Sequence, residues 1–211
     1  MKEQQAVLDF FSQAENLPLG IAVAEQMDAL REQMNTQFWH ALQARLDAMI
    51  NEHMLPWQVT ATEDRNTADS LVGLYCSLRA EQELYLRPMM EQQHLGSDCR
   101  IYFGLMWSVA PSPEQLALPA VITLKNTLQQ AGFKNNESHL AWQWTMMHPR
   151  RKDFLLRYAH QPEILLAEVE AVFKALLVDN REVINQANES LKSTPRRLAS
   201  SLNQMRNELL D

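Results

Sequence analysis

The side chains able to do chemistry are few and scattered along the chain. Six histidines come first, His40, His53, His94, His139, His148 and His160, because zinc and iron sites draw on His, Cys, Asp and Glu at short, defined spacings. There is no His-Glu-x-x-His and no Cys-x-x-Cys, so no metal or other cofactor is expected. Cys76 and Cys99 lie in apolar, strand-like stretches and read as buried thiols of a reducing compartment. Ser70, Ser77 and Ser108 lack the strained, Gly-flanked elbow that exposes a nucleophile, and no glycine-rich phosphate loop is present among the 5 glycines. Metal-dependent nucleases gather carboxylates around a divalent ion and place a lysine beside the attacking water. None of Lys2, Lys125, Lys134, Lys152, Lys174 and Lys192 has Asp or Glu two residues before it. Glu168 and Glu170, two apart on a helix, point away from each other. No catalytic residue is assigned, and the chain reads as one that binds.

Three patterns suggest what it binds. Basic side chains cluster at His148-Pro149-Arg150-Arg151-Lys152 and at Arg196-Arg197; Arg150, Arg151, Lys152, Arg196 and Arg197 are the candidate contacts to a nucleic-acid backbone. Against this, 26 acidic residues outnumber 19 basic ones, for a formal net charge of −7, which opposes attraction to phosphate. Short basic runs are more often a solvated loop or helix start. Leu198, Leu202, Met205 and Leu209 repeat at four, three and four, a coiled-coil-like seam that needs a partner helix from within the fold or from a second copy. Eleven methionines suit an adaptable contact surface and equally a gap-filled core. The third pattern is aromatic: Trp107, Trp142 and Trp144 with Tyr75, Tyr85, Tyr102 and Phe103. These rings either pack under helices or form a platform for a base or peptide. Alternation aligns Trp142 and Trp144 with Met146, which favours packing.

The elements that hold these residues follow from periodicity. A short helix is expected over 3–14, ending at the Asn16-Leu17-Pro18-Leu19-Gly20 break. Val23, Met27, Leu30, Met34, Phe38, Leu42, Leu46 and Met49 mark one continuous stripe on a helix over 21–53, which Pro56 ends. The period then changes to two, with strands expected over 57–62, 71–78, 84–89, 100–109 and 140–147. Hairpin-sized links at 79–83 and 94–98 imply antiparallel pairing. Ser112 is placed to cap a helix with Pro113 in its first turn; Leu116, Leu118, Val121, Leu124 and Leu128 form its buried side, and Gly132 its C-terminal cap. From Gln161 helical period returns with Ile164, Leu165, Val169, Val172, Phe173, Leu176 and Leu177. Asp179 is expected to cap the next helix, and Thr194-Pro195 to restart a last one.

These elements predict an α+β fold: an antiparallel sheet of about four to five strands, packed by a long N-terminal helix and by C-terminal helices. With 211 residues the chain is long enough to bury a core without disulfides. The expected division is an α+β domain over 1–180 and a helical extension over 181–211, packed on the same domain or on a second copy. The first ten residues lack a secretory pattern, and no apolar stretch approaches the ~18 residues a membrane span needs, so a cytoplasmic protein without membrane contact is expected.

Gln37-Phe38-Trp39-His40-Ala41-Leu42 late in the long helix, Ile101-Tyr102-Phe103-Gly104-Leu105 in a hairpin strand, and Leu140-Ala141-Trp142-Gln143-Trp144 before the last helices form an ordered set. Over about residues 27–177 this set resembles the C-terminal, non-catalytic half of PD-(D/E)XK nuclease superfamily proteins of prokaryotic restriction and phage defence. The catalytic acidic-x-lysine signature of that superfamily is missing, so the resemblance carries over no catalytic residue. It implies an accessory part suited to recognition or assembly. The expected function is therefore a non-enzymatic, self-associating protein-interaction subunit of the bacterial cytosol. The alternative is a nucleic-acid-processing component that uses the five basic residues.

Overall fold

Trp57–Ala61 (β1), Val72–Leu78 (β2), Leu86–Leu95 (β3), Asp98–Trp107 (β4) and His139–Trp144 (β5) form one sheet in chain order, antiparallel throughout. The computed structural model describes residues 2–62, 72–95 and 98–194. Val59 lies opposite Cys76, Leu74 opposite Met90, Met90 opposite Phe103, and Leu105 opposite Ala141. All of these are buried. The register is pinned by this alternation, since a slip of one residue would turn the whole apolar row to water.

Helices α1 (Lys2–Phe11), α2 (Leu17–Glu52), α3 (Pro113–Leu116), α4 (Pro119–Gln130), α5 (Lys152–His160), α6 (Pro162–Asp179) and α7 (Arg181–Ser193) complete the described chain. Phe38, Leu42 and Leu46 of α2, Leu124 and Leu128 of α4, Val169 and Phe173 of α6, and Ile184 and Leu191 of α7 join the apolar face of the sheet in one core. The architecture is α+β, with the long N-terminal helix on the sheet as its periodicity predicts. Polar ties register the layers. Trp39 Nε1 donates to Gln92 Oε1 at 3.0 Å, Arg45 bridges Glu163 and Glu170 of α6, and the Leu86 amide donates to Asn188 Oδ1 of α7 at 2.8 Å.

Several expected boundaries move, each for a local reason. The expected break at residues 16–20 is the start of α2: Pro18 sits in its first turn, where a missing N–H costs nothing. Gly20 lies within the helix, where a Cβ would come 2.9 Å from the Phe11 ring. Strand β3 continues past Met89 to Leu95, through polar residues that alternate between the two faces. The single helix expected after Ser112 is two. Ser112 and Gln115 do form a capping box, but Leu118 precedes Pro119 and is extended, because proline excludes the helical conformation from the residue before it. Leu116 is consequently exposed rather than buried. The basic stretch expected as a loop becomes helical from Lys152 as α5. Asp179 ends α6 rather than capping α7; Asn180 follows, and its Nδ2 donates back to the carbonyls of Ala175 and Leu176.

Two helix ends share a solution. After α4, Gly132 adopts φ +90°, and Phe133 N–H reaches Leu128 O at 3.0 Å. After α2, Met54 adopts φ 49°, and Leu55 N–H reaches Ile50 O at 2.9 Å. Both are Schellman-type closures that satisfy orphan carbonyls. The first uses the glycine read from the sequence, the second a methionine.

Candidate interaction surfaces

The strand positions out of phase with the core form the opposite face of the sheet. Register places Tyr75 across from Met89, Glu91 between Gly73 and Tyr102, and Tyr102 across from Trp144. The helices turn their apolar sides to the other face, and Gln58, Thr60 and Gln93 on this one are exposed. At its centre the Tyr75 and Tyr102 hydroxyls both donate to the Glu91 carboxylate, which is 1% exposed. Burial pushes the Glu91 carboxyl above its ordinary value, and the Tyr102 hydroxyl opposes part of that rise. Burial, with the Glu91 charge and hydrogen bond, likewise raises the Tyr102 phenol.

Around this centre the rings of Tyr102, Trp142 and Trp144 meet edge to face at 5.4 to 6.2 Å. This overturns the expectation that Trp142 and Trp144 pack in the core with Met146. The strand ends at Trp144, both tryptophans are only half-buried on the helix-free side, and Met146 is 80% exposed. Trp107 and Phe103 of the same aromatic group do belong to the core. A guanidinium or ammonium stands over several rings: Arg87 at 5.7 Å from Tyr75, Arg100 at 5.3 Å from Trp144, and Lys134 at 5.6 Å from Trp142. Lys134 reaches this face because its backbone pairs with Trp142 beyond β5. His139 joins the rim against Tyr102, and burial lowers its pKa. Both glycines of the face permit close strand approach: a Cβ on Gly104 would fall on the Ala141 carbonyl oxygen, and one on Gly73 on that of Met90.

The basic segment lies at one margin and is largely paired. Arg151 donates twice to Asp98 Oδ2, at 3.0 and 2.5 Å, and His148 Nδ1 lies 2.9 Å from the same oxygen. Burial raises Asp98, but the Arg151 hydrogen bond, the Cys99 amide and the proximity of His148 and the Arg151 charge together hold it below the ordinary value. Arg150 lies 3.5 Å from Asp28, and Lys152 is exposed at the start of α5. Arg196 and Arg197, with the seam residues Leu198, Leu202, Met205 and Leu209, lie outside the described residues. Cys76 and Cys99 are buried free thiols. Burial pushes Cys99 up to about 12 and Cys76 higher still, so neither presents a thiolate near neutral pH.

A second surface projects from the fold. Helix α1 buries none of its residues, and the buried positions of α2 begin only at Asn35. Val7, Leu8 and Phe10 on α1 and Leu17, Leu19, Ile21, Val23 and Leu30 on α2 are all exposed. The stripe along the long helix is thus covered in its second half, whereas in its first Val23 and Leu30 are exposed and Met27 and Met34 half-buried.

Among the described residues no three His, Cys, Asp or Glu side chains gather as a metal site, and no helix is long and apolar enough to cross a membrane. Comparison with protein-family models, with curated proteins and with solved structures finds no match. The residue that sequence reasoning missed is Glu91. The strand expected from the sequence ends at Met89, and the signal for Glu91 is Tyr75 and Tyr102, each out of phase with the apolar row beside it.

Proposed function

We propose that this chain is a non-enzymatic interaction protein, an accessory subunit of the bacterial cytosol working in restriction or phage defence. It associates with a second copy of itself or with another protein through the arm made by α1 and the first half of α2. One observation carries the reading: large apolar side chains are exposed in series along that arm, from Val7 to Leu30. Contiguous exposed apolar surface marks contact sites more often than isolated exposed residues do. The arm also carries Glu3, Asp9, Glu15, Glu25, Asp28 and Glu32 against Lys2 and Arg31. Its complement is therefore an apolar stripe with cations beside it, the pattern of Leu198, Leu202, Met205 and Leu209 following Arg196 and Arg197.

Light scattering on the full chain, on a chain lacking residues 195–211 and on a Phe10→Ser/Ile21→Ser variant tests this. A mass above the 24.4 kDa of one chain is expected for the full protein, and a return to that mass for both variants. A full chain that remains at 24.4 kDa and recovers no protein partner from nuclease-treated lysate removes the reading. The alternative, backbone binding through Arg150, Arg151, Lys152, Arg196 and Arg197, is weakened at two of these residues, since Arg150 and Arg151 already face carboxylates.

A further inference from the structure

The sheet face that carries no helix among the described residues differs from its surroundings in both charge and chemistry. In a chain of net charge −7 it gathers Arg87, Arg100 and Lys134, each over an aromatic ring. The carboxylate at its centre, Glu91, is 1% exposed and takes hydrogen bonds from two tyrosine hydroxyls. Little of its charge reaches the surface. Asp98, at the margin, is paired with Arg151 and lies against His148. The face is therefore locally cationic, with aromatic rings set between the cations.

We propose that this face binds single-stranded nucleic acid, with bases stacking on Tyr102, Trp142 and Trp144 and phosphates held by Arg87, Arg100 and Lys134. Rings and cations lie 5.3 to 5.7 Å apart, and a single strand alternates flat π surfaces with negative charge on a comparable scale. The cations now resting on the rings are displaced by entering bases and move to the adjoining phosphates. Lys134 is exposed and Arg87 and Arg100 are half-buried, cation–π contacts at such sites are modest, and Arg100 keeps its Nε on Thr145 O at 2.8 Å while its terminal nitrogens turn to phosphate. A duplex hides the faces of its bases and an acidic peptide has none, so either ligand uses the cations and leaves the rings idle. Trp142 Nε1 and Arg87 Nε are buried donors without a partner, and such groups gain from an incoming acceptor.

The test is fluorescence anisotropy of the full chain with a labelled oligothymidylate of about 15 nucleotides, long enough for a single site, titrated between about 50 and 200 mM salt. Binding is expected to weaken steeply with salt, and combined Arg87→Ala, Arg100→Ala and Lys134→Ala substitution to reduce the log–log slope by about two. Trp144→Ala is expected to lower affinity on the order of tenfold. Because truncating Trp144 also removes packing from Tyr102, the cation variant, which leaves every aromatic ring of the face in place, is the arm that keeps the proposal falsifiable. Absent binding at the lowest salt overturns it, as does affinity unchanged in the cation variant. Equal binding of a hairpin duplex, or equal competition by poly-glutamate, also overturns it, assigning the face to a generic polyanion or to an acidic peptide.

Discussion

Among the described residues two surfaces stay uncovered, and they are opposite in kind. The arm is a continuation of core chemistry into solvent: the apolar stripe that buries Phe38, Leu42 and Leu46 runs on to Leu30 and Val23, both exposed. The open sheet face is the reverse, a row in which polar and aromatic residues alternate with the core and satisfy one another. The arm holds apolar area in reserve, whereas the sheet face has spent its area on internal contacts among Tyr75, Glu91, Tyr102 and the two tryptophans. Hydrophobic burial is non-directional, so the arm selects for area. Hydrogen bonds and ring geometry are directional, so the sheet face selects for shape and charge.

The sharpest way to break this comparison lies within one helix. Phe38 is fully buried and meets Trp39, Phe154 and Tyr158 edge-on at 5.2 to 5.8 Å, so Phe38→Ala is expected to cost about 3–5 kcal/mol. Val23, on the same stripe and 45% exposed, is expected to change stability by no more than about 0.5 kcal/mol when replaced by Ala. Urea unfolding in dilute solution measures both. Costs of similar size would mean that the stripe is covered along its whole length, and the arm would no longer qualify as a docking surface.

A smaller effect sharpens the sheet side. Gly104 lies between Met89 and Trp142 in register, and a Cβ there would collide with the Ala141 backbone. Backbone cannot step aside as a side-chain tip can, so β4 and β5 must separate. Gly104→Ala is expected to cost roughly 3 kcal/mol and to shift tryptophan emission to the red as Trp142 and Trp144 gain water. An unchanged emission maximum with unchanged stability would show that the two strands tolerate looser pairing than the platform requires.

The sequence made the core side of this molecule legible. Val72, Leu74, Cys76 and Leu78, and Ile101, Phe103, Leu105 and Trp107, alternate without interruption, and the stripe of α2 is just as regular. The same logic failed at Trp142 and Trp144, because large aromatic residues are apolar enough to mimic a core row wherever they occur on every second position. What separates the two cases is the partner strand: Tyr102 and Glu91 lie beside these tryptophans, and that pairing depends on the register of β3 with β4. Strand β3 hid the site, since the polar run Glu91-Gln92-Gln93-His94 lies beyond the expected end of the strand at Met89. Exposure of the arm was equally invisible. Periodicity records which side of a helix is apolar and carries no information about whether anything lies opposite it.

Glu91 gives the finest test, because its environment predicts a sign. Burial raises its carboxyl above the ordinary value of 4.5, so the folded state retains a proton that the unfolded chain releases. Stability from this residue is complete below pH 4.5 and falls as pH rises through the elevated folded-state value. Asp98, held below its ordinary value of 3.8, acts in the opposite direction and in a different window, losing stability only as pH falls through its depressed value. Glu91→Gln keeps the shape and an acceptor for one tyrosine but removes the titration. Its unfolding free energy is expected to change less than that of the native chain between pH 4.5 and neutrality, the two profiles diverging as Glu91 ionises. Below the ordinary value they should run together, both declining through Asp98. Parallel profiles across the whole range would show that the two tyrosine hydroxyls stabilise the carboxylate enough to cancel the effect of its burial.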